Sequence, residues 1–159
     1  MISIVKFENR HIDECVQIEK KCFSDPWSKN MITLSFSSSV SLFFAAEDDD
    51  GLIGFIMAYK VLDEIEIINI AVNEKYRKNG VGSSLLNEIL KVASNEKIKN
   101  IYLEVRKSNV TAIKFYEKYG FSVYSVRKMY YNKPIEDALM MRMHLTEGDV
   151  NVPANPIKQ

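Results

Sequence analysis

The sequence predicts a mixed α/β fold, one sheet of six to seven strands flanked by about four helices. Three patterns predict it. Strand-like and helix-like periods alternate along the chain, and hairpin-like pairs of strands stand toward both ends. Between them, a β-branched run passes through a glycine turn directly into an amphipathic helix.

In chain order, Ile2 to Phe7 alternates apolar and polar residues and reads as a strand. A helix pattern begins at Asn9, with Ile12, Cys15, Val16, Ile18, Glu19 and Cys22 along one stripe. Phe23-Ser24-Asp25-Pro26-Trp27-Ser28 breaks it, because proline keeps the residue before it out of the helical region. Ser28 is placed to cap a short helix through Met31, Leu34 and Phe36, and Ser37 to Ser41 reads as loop. Leu42 to Glu47 and Leu52 to Leu62 form a hairpin across Asp48-Asp49-Asp50-Gly51, whose acidic run reads as a solvated turn. Ile67, Ile68, Ile70 and Val72 make a buried strand, and Leu85, Leu86, Ile89, Leu90 and Ala93 mark the helix after the glycine turn. Asn100 to Val105 is the next strand. Asn109 to Tyr119 is a helix with Ala112, Ile113, Phe115 and Tyr116 inward, closed by Gly120. Phe121 to Val126 and Asp137 to Leu145 are the last strands. Residues 1–145 therefore read as one domain, and Thr146 to Gln159, with Pro153 and Pro156, as a flexible tail.

Composition narrows the function classes. A chain of 159 residues suits a single core. With Lys+Arg 21 against Asp+Glu 21, no overall basic field is available for nucleic acid. No run approaches a membrane span and no leader pattern opens the chain, so a cytoplasmic monomer with no membrane partner is expected. Cys15 and Cys22 lie two helical turns apart, too far to bridge within one helix, and are expected as free thiols. No His, Cys or acidic spacing suggests a metal, and His11 and His144 are not expected in catalysis.

The chemistry is concentrated in Arg77-Lys78-Asn79-Gly80-Val81-Gly82-Ser83. The first N–H groups of a helix have no internal partner and favour an anion, while glycines let a phosphate approach the backbone. Gly82 is followed by Ser83 rather than by Lys, so this is not a P-loop. Leu85 stands where a dinucleotide fingerprint needs a small residue. The remaining pattern, Arg-x-x-Gly-x-Gly, resembles the pyrophosphate loop of the GCN5-related N-acetyltransferases.

Three further segments resemble the ribosomal-protein-alanine N-acetyltransferase (RimI) family within that superfamily. They are Phe23 to Ser28, with its Pro-Trp-Ser; Leu103 to Asn109, followed by Ala112, Phe115-Tyr116 and Gly120-Phe121; and Arg127-Lys128-Met129-Tyr130-Tyr131 with Glu136-Asp137-Ala138 and Met141. The resemblance implies the GNAT fold, acetyl-coenzyme A as donor and a protein N-terminal amine as acceptor, by family the N-terminal alanine of ribosomal small-subunit protein 18. It implies Glu104 as general base and Tyr116 as general acid beside the thioester sulfur. Asn109 would contact the coenzyme, the strand around Ile70, Ala71 and Val72 would meet the pantetheine arm, and Lys78 to Ser83 would hold the pyrophosphate with Arg77 at its border. Trp27, Tyr130 and Tyr131 would line the acceptor channel, the tyrosines from a loop. Glu64 and Glu66 are rival bases on the preceding strand, with Glu66 the first to test.

Simple acid–base chemistry favours the same acceptor. An α-amine has a pKa of about 7.7–8.0, so roughly a tenth is already neutral at pH 7. A lysine amine near 10.4 is about two and a half units worse, a handicap of about 3.5 kcal/mol. A carboxylate base suits the first better. A phenol of pKa about 10 protonates a thiolate of parent pKa about 8.5 only uphill, so hydrogen bonding is the easier role for Tyr116. A lysine, a polyamine or another small amine is the rival acceptor, and a coenzyme-binding adaptor without catalysis is the rival class.

Overall fold

The computed structural model describes residues 1–146, so the expected tail lies, apart from Thr146, outside the described residues. The elements are β1 (Ser3–Lys6), a 3-10 turn (Asn9–His11), α1 (Ile12–Cys22), α2 (Lys29–Phe36), β2 (Ser41–Asp48), β3 (Gly51–Val61) and β4 (Glu64–Val72). A second 3-10 turn (Glu74–Tyr76), α3 (Val81–Asn95), β5 (Asn100–Arg106), α4 (Val110–Lys118), β6 (Ser122–Tyr131) and β7 (Glu136–His144) follow. All seven strands join one sheet in the order β1-β2-β3-β4-β5-β7-β6. The pairings are antiparallel except β4–β5, where the α3 crossover makes them parallel.

The period-two alternation feeds two apolar layers. Phe44, Ala46, Ile56, Ile65, Ile67 and Leu103 point toward α3 and α4, meeting Leu85, Leu86, Ile89 and Tyr116. Phe43, Ala45, Phe55, Met57 and Ala71 point the other way, toward α1 and α2, meeting Cys15, Ile18 and Ile32. Full burial of a side chain such as Leu85 contributes about 1.5–3 kcal/mol. The second layer does not extend over β5, β7 and β6.

One irregularity shapes the rest. Met57 pairs with Asn69 but Ala58 pairs with Ile67, leaving Ile68 as an extra residue that bends β4. Pairing of β4 with β5 covers only Glu64–Ile67 against Asn100–Leu103. Beyond that point β4 runs on to Val72 with no strand on its β5 side, and a gap opens between them. Gly54 permits the β3–β4 approach there, since a Cβ would meet the Ala71 carbonyl at 2.8 Å.

Some boundaries differ from expectation. The N-terminal helix opens with a 3-10 turn, and Ser41 belongs to β2. The tight turn is Asp49-Asp50, with Asp48 and Gly51 paired as its flanking strand residues. Tyr130 and Tyr131 are not in a loop: β6 continues to Tyr131 past a bulge at Met129, whose φ is 49°. That local break mimics a strand end in the sequence. Cys15 is buried and Cys22 half-buried, and both are free.

Candidate active site

The glycine turn forms an open nest at the tip of α3. Lys78 and Gly80 take left-handed φ values of 62° and 81°, and Gly80 starts the helix. Among the described residues, no acceptor pairs with the N–H groups of Lys78, Asn79, Gly80, Val81, Gly82 or Ser83. Together with the helix dipole, these donors favour negative charge at the tip of α3. A Cβ at Gly82 would meet nothing closer than 3.9 Å, so neither packing nor φ requires glycine there. Arg77 does not point into the nest. Its Nε donates to the Val72 carbonyl at 3.0 Å and a terminal nitrogen lies 3.4 Å from Cys22 Sγ, bracing the end of β4. The Val72 carbonyl is thereby engaged.

On the uncovered half of the sheet lies a groove of about 350 Å³. The β4–β5 register places Glu66 beside Tyr102, and both line the groove with Glu64, Glu104, Tyr59 and Arg127. An Arg127 guanidinium nitrogen is 3.4 Å from Glu104 Oε1. Glu104 beside the Tyr130 hydroxyl is the main reason that phenol is raised. Partial loss of water raises the Glu66 carboxyl; the Glu104 charge adds to this and Arg127 opposes it.

Tyr131 feels the charge of Glu104, and Tyr116 in turn feels Tyr131. Burial, with a smaller contribution from Glu104, pushes the Tyr131 phenol up to about 12. Burial pushes Tyr116 well above the usual phenol value, and Tyr131 adds to that. Tyr116 packs its ring among the α3–α4 layer, yet its hydroxyl has no hydrogen-bond partner among the described residues. Arg106 fixes the neighbouring turn. It donates to the Asn132 and Pro134 carbonyls at 2.6 and 2.9 Å, pairs with Glu136 at 3.3 Å, and stacks 4.6 Å from the Tyr131 ring centre.

The expected residues thus fall into two groups. Ile70, Ala71, Val72 and Lys78 to Ser83 lie along the gap and the nest, while Glu66 and Glu104 line the groove, and Tyr130, Tyr131 and Tyr116 are coupled to Glu104 or to one another electrostatically. Asn109 caps α4, its Oδ1 accepting from the Ala112 N–H at 3.1 Å. Trp27 is not part of the groove lining; it packs against the α1–α2 layer, as do Tyr59 and Ile68. Sequence reading missed Tyr59, Tyr102, Tyr124 and Met140 as lining residues, and gave Arg127 no role. Only strand register brings these together. The histidines are elsewhere: His11 Nδ1 accepts from the Glu8 N–H at 2.9 Å, and His144 meets Asn100 at 3.0 Å. No group of metal-binding side chains is present among the described residues, and no helix there is long and apolar enough to cross a membrane.

The [ribosomal protein bS18]-alanine N-acetyltransferase of Escherichia coli K12 is 30% identical over 148 residues, covering 92% of this chain and 99% of that one. The protein of the same name from Salmonella typhimurium is 32% identical over 133 residues, covering 82% and 88%. The crystal structure of the Escherichia coli ribosomal-protein-S18-alanine N-acetyltransferase superposes with a TM-score of 0.85 at 28% identity, over 94% of this chain and 99% of that one. The acetyltransferase (GNAT) family model matches residues 12–121. With the β4–β5 gap, the open nest at α3 and these likenesses together, the chain belongs to the GNAT acetyltransferase family.

Proposed function

We propose that the chain transfers acetyl from acetyl-coenzyme A to a protein N-terminal α-amine, with the N-terminal alanine of ribosomal small-subunit protein 18 as the acceptor. The observation that carries this reading is the gap between β4 and β5, with unpartnered donors at its α3 end and Glu104 at its groove end. The names of the relatives support the choice of acceptor.

In this reading, the nest N–H groups hold the pyrophosphate and the free edge of β4 pairs with the pantetheine arm as it would with a peptide. The thioester carbon then lies between the two halves of the site. The acceptor enters from the groove as a neutral amine and attacks that carbon. A C–N bond forms, the C–S bond breaks, and the amine proton passes to a groove carboxylate. Glu104 is the assigned base, placed beside Arg127 and Tyr130. Glu66, whose carboxyl is raised by partial loss of water, is the alternative. Tyr116 donates a hydrogen bond to the departing sulfur. Its raised phenol makes it a poor proton source, so stabilisation of developing charge is its role.

A second reading rests on the three carboxylates Glu64, Glu66 and Glu104 in the groove, which favour a polyamine. One assay separates the two: acetyl-coenzyme A supplied with a peptide bearing a free N-terminal alanine, a blocked peptide offering only lysine, or a polyamine. Fastest thiol release with the alanine peptide supports the proposal, and fastest release with either other amine overturns it. Tight coenzyme binding with no release from any amine would point to an adaptor. Tyr116→Phe is expected to lower kcat about 10- to 100-fold while leaving coenzyme affinity nearly unchanged. Equal losses in both would make the hydroxyl structural.

A further inference from the structure

Glu19 is the only buried carboxylate among the described residues, and it has no exposed surface. It sits in the apolar stripe of α1, and no cation pairs with it among the described residues. An isosteric apolar residue would fill this space without the desolvation cost of a carboxylate. What the carboxylate holds explains its presence. Oε2 accepts from the Trp27 backbone N–H at 3.1 Å, and Oε1 accepts from the Asn69 side-chain amide. These partners belong to distant segments, a loop and a strand. Trp27 lies in the loop between α1 and α2, which Asp25 also ties to Lys133 of the β6–β7 turn, at 3.8 Å. Asn69 directly follows the extra residue that bends β4 and begins the unpaired edge.

We propose that Glu19 is a positioning residue for acyl transfer, its carboxylate fixing the acceptor-side loop 23–28 against the donor-side half of β4. This rests on the reading of β4 as coenzyme strand and on the loop, outside the groove lining but tied by Asp25 to Lys133 of the β6–β7 turn, bordering the path of the acceptor. Neither held group is titratable. The Cys15 thiol, one turn earlier on α1, is pushed up by burial and by Glu19. Burial raises Glu19 itself to about 7, and its two donors oppose that rise.

Trp27 is the single tryptophan of the chain, so its emission reports the loop without reference to activity. In Glu19→Gln the side chain keeps its size but offers an N–H to one of two donors. Its emission is expected to shift to the red and its acrylamide quenching to rise. With the alanine peptide, kcat/KM is expected to fall about tenfold through KM, while coenzyme affinity stays within about twofold. Asn69→Asp alone sets two carboxylates against each other and is expected to lose at least as much. Combined with Glu19→Gln it restores an amide–carboxylate pair with the roles exchanged, so emission and KM are expected to return most of the way. Should Glu19→Gln not fold, Asn69→Ala provides the same readouts with the Trp27 bond intact. Unchanged emission, absent rescue, or equal losses of coenzyme and acceptor affinity would each overturn the proposal. So would shifted emission with unaltered acceptor kinetics. If the unmodified protein acetylates none of the amines, the reading of its function fails instead, and emission alone decides whether Glu19 grips the loop.

Discussion

Strands β1 to β4 lie between two apolar layers, whereas β5 and β7 are covered on one face only and the edge strand β6 is exposed along most of its length. In the first half, neighbouring positions such as Phe43 and Phe44 are both buried, one toward each layer. In the second half, Leu103 and Val105 are buried but Tyr102 and Glu104 remain half-open on the other face. The difference separates stability from chemistry. A carboxylate, a guanidinium and several phenols can gather on the open face without a full desolvation cost. The gap lies where the two halves meet.

Substitutions can break or sharpen that contrast. Glu104→Gln, in the open half, is expected to lower kcat/KM about 100-fold or more, with urea melts close to those of the unmodified chain. Glu66→Gln should change it only a few-fold. The reverse ranking would transfer the role of base to β4. In the covered half, Leu85→Ala is expected to lower unfolding free energy by about 2–5 kcal/mol, with coenzyme affinity retained in the folded fraction.

Glu19 tests the boundary through pH. Its native carboxyl, raised from 4.5 to about 7, binds its proton more tightly than the unfolded chain does. The full stability from this group is therefore present below about pH 4.5 and is lost as pH rises toward 7, a loss on the order of 3 kcal/mol. Urea melts at pH 5 and pH 8 should show a steeper decline for the unmodified protein than for Glu19→Gln. Equal slopes would place the carboxylate in water. Smallest is Gly82→Ala, expected to raise stability by about 0.5–1 kcal/mol, since glycine is a poor helix residue and a Cβ has room. The same change should weaken coenzyme binding about tenfold by calorimetry; unchanged affinity would show that no ligand approaches there.

Much of the fold was legible because its signals are local. Period-two runs located the strands, and the 3.6-residue stripes of α1, α3 and α4 located the helices. Ser28 caps α2 as its position implied, its Oγ accepting from the Met31 N–H at 3.2 Å. The end of β6 was not legible, because the bulge at Met129 resembles a loop in one dimension. The nest was visible as a motif. The groove was not, since Tyr59, Glu66, Tyr102, Glu104 and Arg127 come from four strands and only register places them together.

By itself, the sequence determined the elements, their order, the glycine nest and the carboxylates available for chemistry, since each depends on residues within a few positions of one another. Tertiary structure alone decided that β4 bends away from β5, that Arg127 stands against Glu104, and that the α1 stripe buries Glu19 against Trp27 and Asn69. Those depend on strand pairing and on the loss of water between distant segments, for which residue spacing along the chain carries no signal.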